Sequence, residues 1–460
     1  MAWLAERGSE GVDLETLLGP PSPLPRALID ANGLPYKGTK STSTTYLQRR
    51  YKHPPIIIQE LPAGWIPDTV ILEGMFLIQT SPILTMSCMQ DYVKLLLSRF
   101  VRPHFIAGVK SVHVVFDVPG AQHETPKAIE QYRRDRTADA TGNRQHYCTS
   151  FSDDLLVPDK WRSILACRRC KKDLTAYIAD DMLNLISHSL RPYQQFITNI
   201  GEEAFSIAPG RPREMRPDLH TNADEADLRV WLHCKKAFGR RKLIFSTDTD
   251  VYHIGLSEIR HIPDTEIIVQ LNNTCESVRY LSINNLLTAL QNDPDLSQLP
   301  PCTRPQALQS LYVATGCDYT SFFVGLGKVS FLATFYQHAS FIAGGSDPPG
   351  TIGETCLDSE SPSKFSFLRL VGCSYFRQHT SGFKLQTPEA LYYSISDATS
   401  CYDHHDKWLA KIRTIVRQRV DRENKSMPST DALLLHWRRC TWVLGMWHCA
   451  TQNRIELPGT

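Results

Sequence analysis

At 460 residues the chain is long enough to bury a large core, and at roughly 100–200 residues per domain it predicts two or three domains. A composition 42% hydrophobic and 21% charged excludes global disorder. A formal net charge of +2 excludes a uniformly basic protein, so any nucleic-acid contact has to come from local basic patches.

Residues 1–55 carry a Pro/Gly cluster, GPPSPLP, and then STSTTYLQRR, which reads as a loosely ordered arm. The opening MAWLAERGSE is too short in apolar residues and too acidic for a signal peptide. Pro54 and Pro55 precede IIIQEL, an edge-strand candidate. IPDTVILEG reads as a strand ending at Glu73, followed by a helix through about Phe100. Val70 to Met89, the longest apolar stretch, is cut by Glu73, Gln79 and Pro82, so no membrane span is expected. SVHVVF before Asp117 is a β-branched run suited to a sheet buried on both faces.

Residues 118–220 are polar and basic, with helical spacing over Trp161–Leu185, and read as an insertion between sheet strands. Asp224–Phe238 has the spacing of a helix. Leu243–Phe245 and TEIIVQL read as strands, and Gln306–Thr315 as a helix running into Asp318. VGLGKVSFLATFYQ reads as a turn and a helix, 344–364 as a linker, and 365–460 as a mostly helical C-terminal region. Trp437, Trp442 and Trp447 fit core anchors. Strands alternating with helices predict an α/β chain with a mainly parallel sheet flanked by helices.

The chemistry lies in the acidic residues at the ends of these strands: Glu73, Asp117, Glu225 and Asp227 in NADEAD, Asp248 and Asp250 in STDTD, and Asp318 in GCDY. The carboxyl ends of the strands are where open α/β sheets bind ligands. Magnesium prefers oxygen ligands, and paired divalent ions suit phosphodiester hydrolysis. Each carboxylate alone fits a turn or a helix cap equally well. Asn222 with Glu225 could form a capping pair, which would remove Glu225 from the site. Glu225 and Asp227 converge only if a helix begins there.

In their order, these motifs resemble the flap endonuclease (XPG-type) family of structure-specific 5′ nucleases, within the wider Rossmann-like PIN-like nucleases. The matching segments are LEG, VFDVPG, EAD, STDTD and GCDY, spanning roughly residues 66–340. GCDYTSFFVGLGK also resembles nuclease-like proteins of animal mobile elements. The resemblance implies a nuclease domain over 56–343 and two Mg2+ or Mn2+ ions on Asp117, Glu225, Asp227, Asp248, Asp250 and Asp318, with Glu73 where the family usually has Asp. It implies that 118–220 is an arch-like insertion and that Lys127, Arg133 and Arg134 clamp the scissile phosphate. It also implies a helix–two-turn–helix-like part over 306–343, in which Gly325, Gly327 and Lys328 grip duplex phosphates with a K+ ion. Some 65 residues precede the first strand, where family members begin almost at once.

The expected partner is DNA or RNA, with no membrane. The first alternative is a catalytically silent nucleic-acid-binding or assembly module on the same fold. The second is an RNA endonuclease like the viral host-shutoff proteins of the superfamily. Zinc is not expected: Cys167 and Cys170 have knuckle spacing, with His146 and Cys148 as further candidate ligands, but i and i+3 simply share a helix face. Thirteen scattered cysteines favour a reduced, intracellular chain, with the nucleus expected before the cytoplasm. Arg240, Arg241 and Lys242 are too short a run to count as a nuclear signal.

Overall fold

The computed structural model describes residues 25–81, 83, 87–118, 150–158, 161–272, 278–344, 362–380 and 386–455. Nine strands form one sheet: β1 Ile57–Ile58, β2 Thr69–Glu73, β3 Ser111–Val115, β4 Gln195–Ile200, β5 Glu203–Ile207, β6 Glu214–Met215, β7 Arg241–Phe245, β8 Glu266–Gln270 and β9 Tyr280–Ser282. Their spatial order is β1-β9-β8-β7-β2-β3-β4-β5-β6. The five central strands, β8-β7-β2-β3-β4, are mutually parallel, and antiparallel strands finish both edges.

The chain runs from β2 to β3 to β4 in one direction, then returns to the other side of β2 for β7 and β8. The order therefore reverses between β2 and β7. Their carboxyl ends flank a crevice of the kind in which open α/β sheets take ligands.

The central strands are buried on both faces, and successive side chains feed different cores, as a period of two requires. Ile71, Val115, Ile244, Ile267 and Val269 face one core. Val70, Leu72, Val112, Val114, Leu243, Phe245 and Ile268 face the other.

The helices that position the site are α1 Thr42–Arg50, α2 Gly74–Thr80, α3 Met89–Leu96, α4 Arg168–Ile186, α5 Ala226–Lys236, α6 Thr249–Glu258, α7 Ile283–Gln291, α8 Arg304–Ala314, α9 Lys328–Gln337, α10 Ser363–Thr380, α11 Cys401–Arg417 and α12 Thr430–Trp447. Helices α3 and α4 cover one face of the sheet. Helices α5, α6 and α8 share the core of the other face with α10, α11 and α12, so the C-terminal helices continue that core.

Two segments differ from their sequence-based expectation. Residues 195–200, 203–207 and 214–215 are sheet strands rather than part of an insertion, with α4 preceding the parallel strand β4. Their polarity conceals this. Asn199 is buried, but its amide accepts from Phe116 N at 2.7 Å and donates to Phe116 O at 3.2 Å, so a polar residue is satisfied inside the sheet. Within the expected loose arm, residues 42–50 form α1. Leu47 is buried, and Arg50 and Tyr51 bind Asp293. Residues 119–149, with Lys127, Arg133, Arg134, His146 and Cys148, lie outside the described residues, as does most of the expected linker.

Candidate active site

Backbone register gathers the acidic segments at one end of the sheet. Leu72 of β2 pairs with Phe245 of β7, and Glu73 pairs with Val115 of β3. The residues that follow these strands therefore emerge side by side. Ser246 donates from Oγ to Glu73 Oε2 at 3.0 Å, and the same Oγ accepts from Asp248 N at 3.2 Å. Asp248 caps α6, accepting from Asp250 N at 2.9 Å.

Asp117 follows β3, and its Oδ1 accepts from Ala226 N at 3.0 Å, in the first turn of α5. Val118 N donates to Asp224 O at 2.7 Å and ties the same two segments together. Glu225 is the N-cap residue of α5 and Asp227 lies in its first turn, so the helix does begin where convergence requires. The Asn222–Glu225 capping pair does not form, because the Asn222 amide instead exchanges hydrogen bonds with the Ile455 backbone. Buried Arg229 holds the loop before Glu225, donating to Ala223 O, Thr221 O and Gly201 O.

Asp227, Asp248 and Asp250 each offer a carboxylate oxygen within 4.8 Å of the other two. The donors are all oxygen, as Mg2+ and Mn2+ prefer. Asp250 is fully buried and accepts from Tyr312 OH at 2.5 Å. Burial and the neighbouring Asp250 hold the Tyr312 phenol well above its ordinary value, so it serves as a donor.

Two glycines make this geometry available. A Cβ at Gly74, just past Glu73, would fall 2.2 Å from the ring of Phe116, so the close approach of β2 and β3 at the site requires glycine. Gly316 has φ +109°, a left-handed turn that leads α8 into Cys317 and Asp318.

Two lysines complete the site. Lys40, just before α1, places Nζ 2.7 Å and 2.9 Å from the two oxygens of Asp248, and 3.2 Å from both Asp250 Oδ2 and Asp318 Oδ2. Burial alone would push the Lys40 ammonium down, but Asp250, Asp248 and Asp318 outweigh it and hold the pKa above the ordinary lysine value. Lys171 of α4 reaches Asp117 Oδ2 at 2.9 Å. Sequence reasoning missed Lys40, Ser246 and Tyr312, and saw Lys171 only as one more charge in a basic stretch. No local pattern marks a lysine as the partner of a carboxylate some 200 positions away.

In the glycine-rich turn, Gly325 has φ +81°, and a Cβ at Gly327 would meet nothing within 4 Å, so the turn is open on that side. Val324 N donates to Ala27 O and Leu326 N to Phe323 O, which commits two of its amides. Lys328, expected at the phosphate, is buried instead. Its Nζ donates to Tyr312 O at 2.6 Å and Thr315 Oγ1 at 3.2 Å, and burial lowers its pKa to about 7. Charges from elsewhere surround the turn: Arg377 of α10 donates to Ser330 O, while Arg419, Lys425 and Asp421, which pairs with Lys425 at 2.9 Å, line a cleft of about 150 Å³ with Gly325.

Cys167 precedes α4 and Cys170 is buried in its first turn. No helix among the described residues is long and apolar enough to cross a membrane.

No protein-family model matches the chain, and no curated protein sequence does. Among solved structures the chain is similar to the catalytic core of Rad2 in complex with DNA substrate, at 14% identity and a TM-score of 0.30, covering 80% of this chain and 92% of that one. At that score the two superpose loosely.

Proposed function

We propose that the chain is a metal-dependent nuclease that hydrolyses phosphodiester bonds in structured or single-stranded nucleic acid. The observation that carries this reading is the meeting of Asp227, Asp248 and Asp250 within reach of one ion, at the switch point of a parallel sheet. Asp117 and Glu225 at the start of α5, Glu73 through Ser246, and Asp318 through Lys40 are linked to the segments that carry this group and would be the candidates for a second ion. Bound divalent ions would activate water and neutralise charge developing on the phosphate. The protein's part is to hold the oxygens in place: Tyr312 orients Asp250, Ser246 links Glu73 to Asp248, and the start of α5 orients Asp117. The open face at Gly327, with Arg419 and Lys425 beside Gly325, would grip the backbone of a duplex, with a monovalent cation at the turn as the family resemblance implies.

The test is cleavage of labelled flap DNA and RNA, side by side, in Mg2+ or Mn2+. Wild type should cleave one of them. Asp248→Ala with Asp250→Ala should lose at least about 100-fold, since groups that merely orient metal ligands already cost 10–100-fold. Equal cleavage by wild type and variant sinks the site.

A second reading, a silent nucleic-acid-binding module, is favoured by one observation: Lys40 and Lys171 already supply positive charge to the carboxylates. Titration calorimetry separates the two readings, because a silent module binds Mn2+ barely above background.

A further inference from the structure

We infer that Lys40 is a built-in rival of the metal: its ammonium sits on the oxygens a divalent ion needs, and the ion enters by displacing it. This rests on the metal-site reading above and adds how that site is regulated.

The geometry is specific. The three carboxylates that Lys40 touches come from two segments, one at the start of α6 and one just past α8. Two of them, Asp248 and Asp250, also belong to the triad that could hold an ion. An ammonium and a divalent cation cannot share those oxygens, because like charges a few ångströms apart in a half-buried crevice repel strongly. With neither cation present, the clustered carboxylates would repel one another instead. Lys40 therefore fits as the counterion of the metal-free protein.

The displacement needs only a side-chain movement. Lys40 keeps 19% of its side chain exposed, so its flexible stem has a route outward. Its backbone is held independently. Ser43 Oγ donates to Lys40 O, Thr44 bonds to Tyr252, and a Cβ on nearby Gly38 would collide with the ring of Phe322. The segment can thus stay docked while the ammonium leaves.

The experiment is Mn2+ titration calorimetry on the full chain, with thermal unfolding in EDTA as a second readout. Lys40→Met should bind Mn2+ about tenfold more tightly than wild type, the direction expected when a competing charge is removed. It should also melt below wild type in EDTA and gain more from added Mn2+. Lys52→Met, the same charge change at an exposed position just past α1, should match wild type.

Equal or weaker binding by Lys40→Met overturns the inference while leaving the metal site standing. Absence of Mn2+ binding in both proteins removes the metal site and the inference together. If Lys40→Met does not fold, wild type still decides: acetylation of Lys40, followed by mass spectrometry, should speed up on saturation with Mg2+. An unchanged rate at saturation overturns the proposal.

Discussion

Glu258 ends α6 with no exposed surface, and its Oε2 accepts from both Thr451 N and Thr451 Oγ1. Burial raises its pKa from 4.5 to about 7, with the Thr451 bonds offsetting part of that rise. The unfolded chain releases this proton near pH 4.5 and the folded chain near 7, so within that window the folded state holds the extra proton. Stability from this group therefore falls as pH rises through the window. Glu258→Gln keeps the acceptor and removes the titration. It should melt higher than wild type at about pH 8 and lose less on going there from about pH 5, as thermal unfolding at the two pH values would show. At the same scale, Lys328 illustrates why a basic residue beside a glycine turn misleads. Its position in the sequence suits a phosphate partner, yet its ammonium turns inward to the Tyr312 carbonyl near the end of α8.

Elements that could be read from sequence were those with a plain hydrophobic pattern. The strands ending in Glu73 and preceding Asp117 and Asp248, and the helix carrying Asp227, lie close to where their periodicity puts them. β4 escaped because Thr198 and Asn199 are polar but buried, and β9 because three residues carry no pattern. Packing between elements is harder to read than their existence. Helices α5 and α6 cross with Gly255 against Trp231, whose Nε1 donates to Val251 O at 2.8 Å. A Cβ at Gly255 would lie 2.1 Å from the indole. Helix propensity favours alanine over glycine by about 1 kcal/mol. Overpacking against a rigid ring should reverse the sign, so Gly255→Ala should destabilise by about 1–3 kcal/mol in denaturant unfolding. Loosening this crossing would also disturb Asp227 and Asp250, which sit in the first turns of the two helices.

Across the whole molecule, the C-terminal helices are part of the site's support. His436 of α12 bonds to Ala314 O, and Arg439 Nε donates to Tyr319 O at 3.1 Å, bracing the loop that presents Asp318. The same region brings Arg419, Asp421 and Lys425 to the glycine turn. Arg419→Glu with Lys425→Glu should weaken duplex binding measured by anisotropy in EDTA. It should also make the fall of log K with log salt shallower by about 1–2, the lower figure if Lys425 stays paired with Asp421. An unchanged slope would remove the cleft from the interface.

That the acidic residues fall at strand ends and helix starts is legible along the chain, because strand periodicity and helix onset are local properties. Which cations meet those acids is set only by folding. Lys40 lies far from Asp248 in sequence, Lys171 lies on helix α4 well past Asp117, and Lys328 is turned into the core. Charge acts through space, and sheet order and helix packing, rather than spacing along the chain, set those distances.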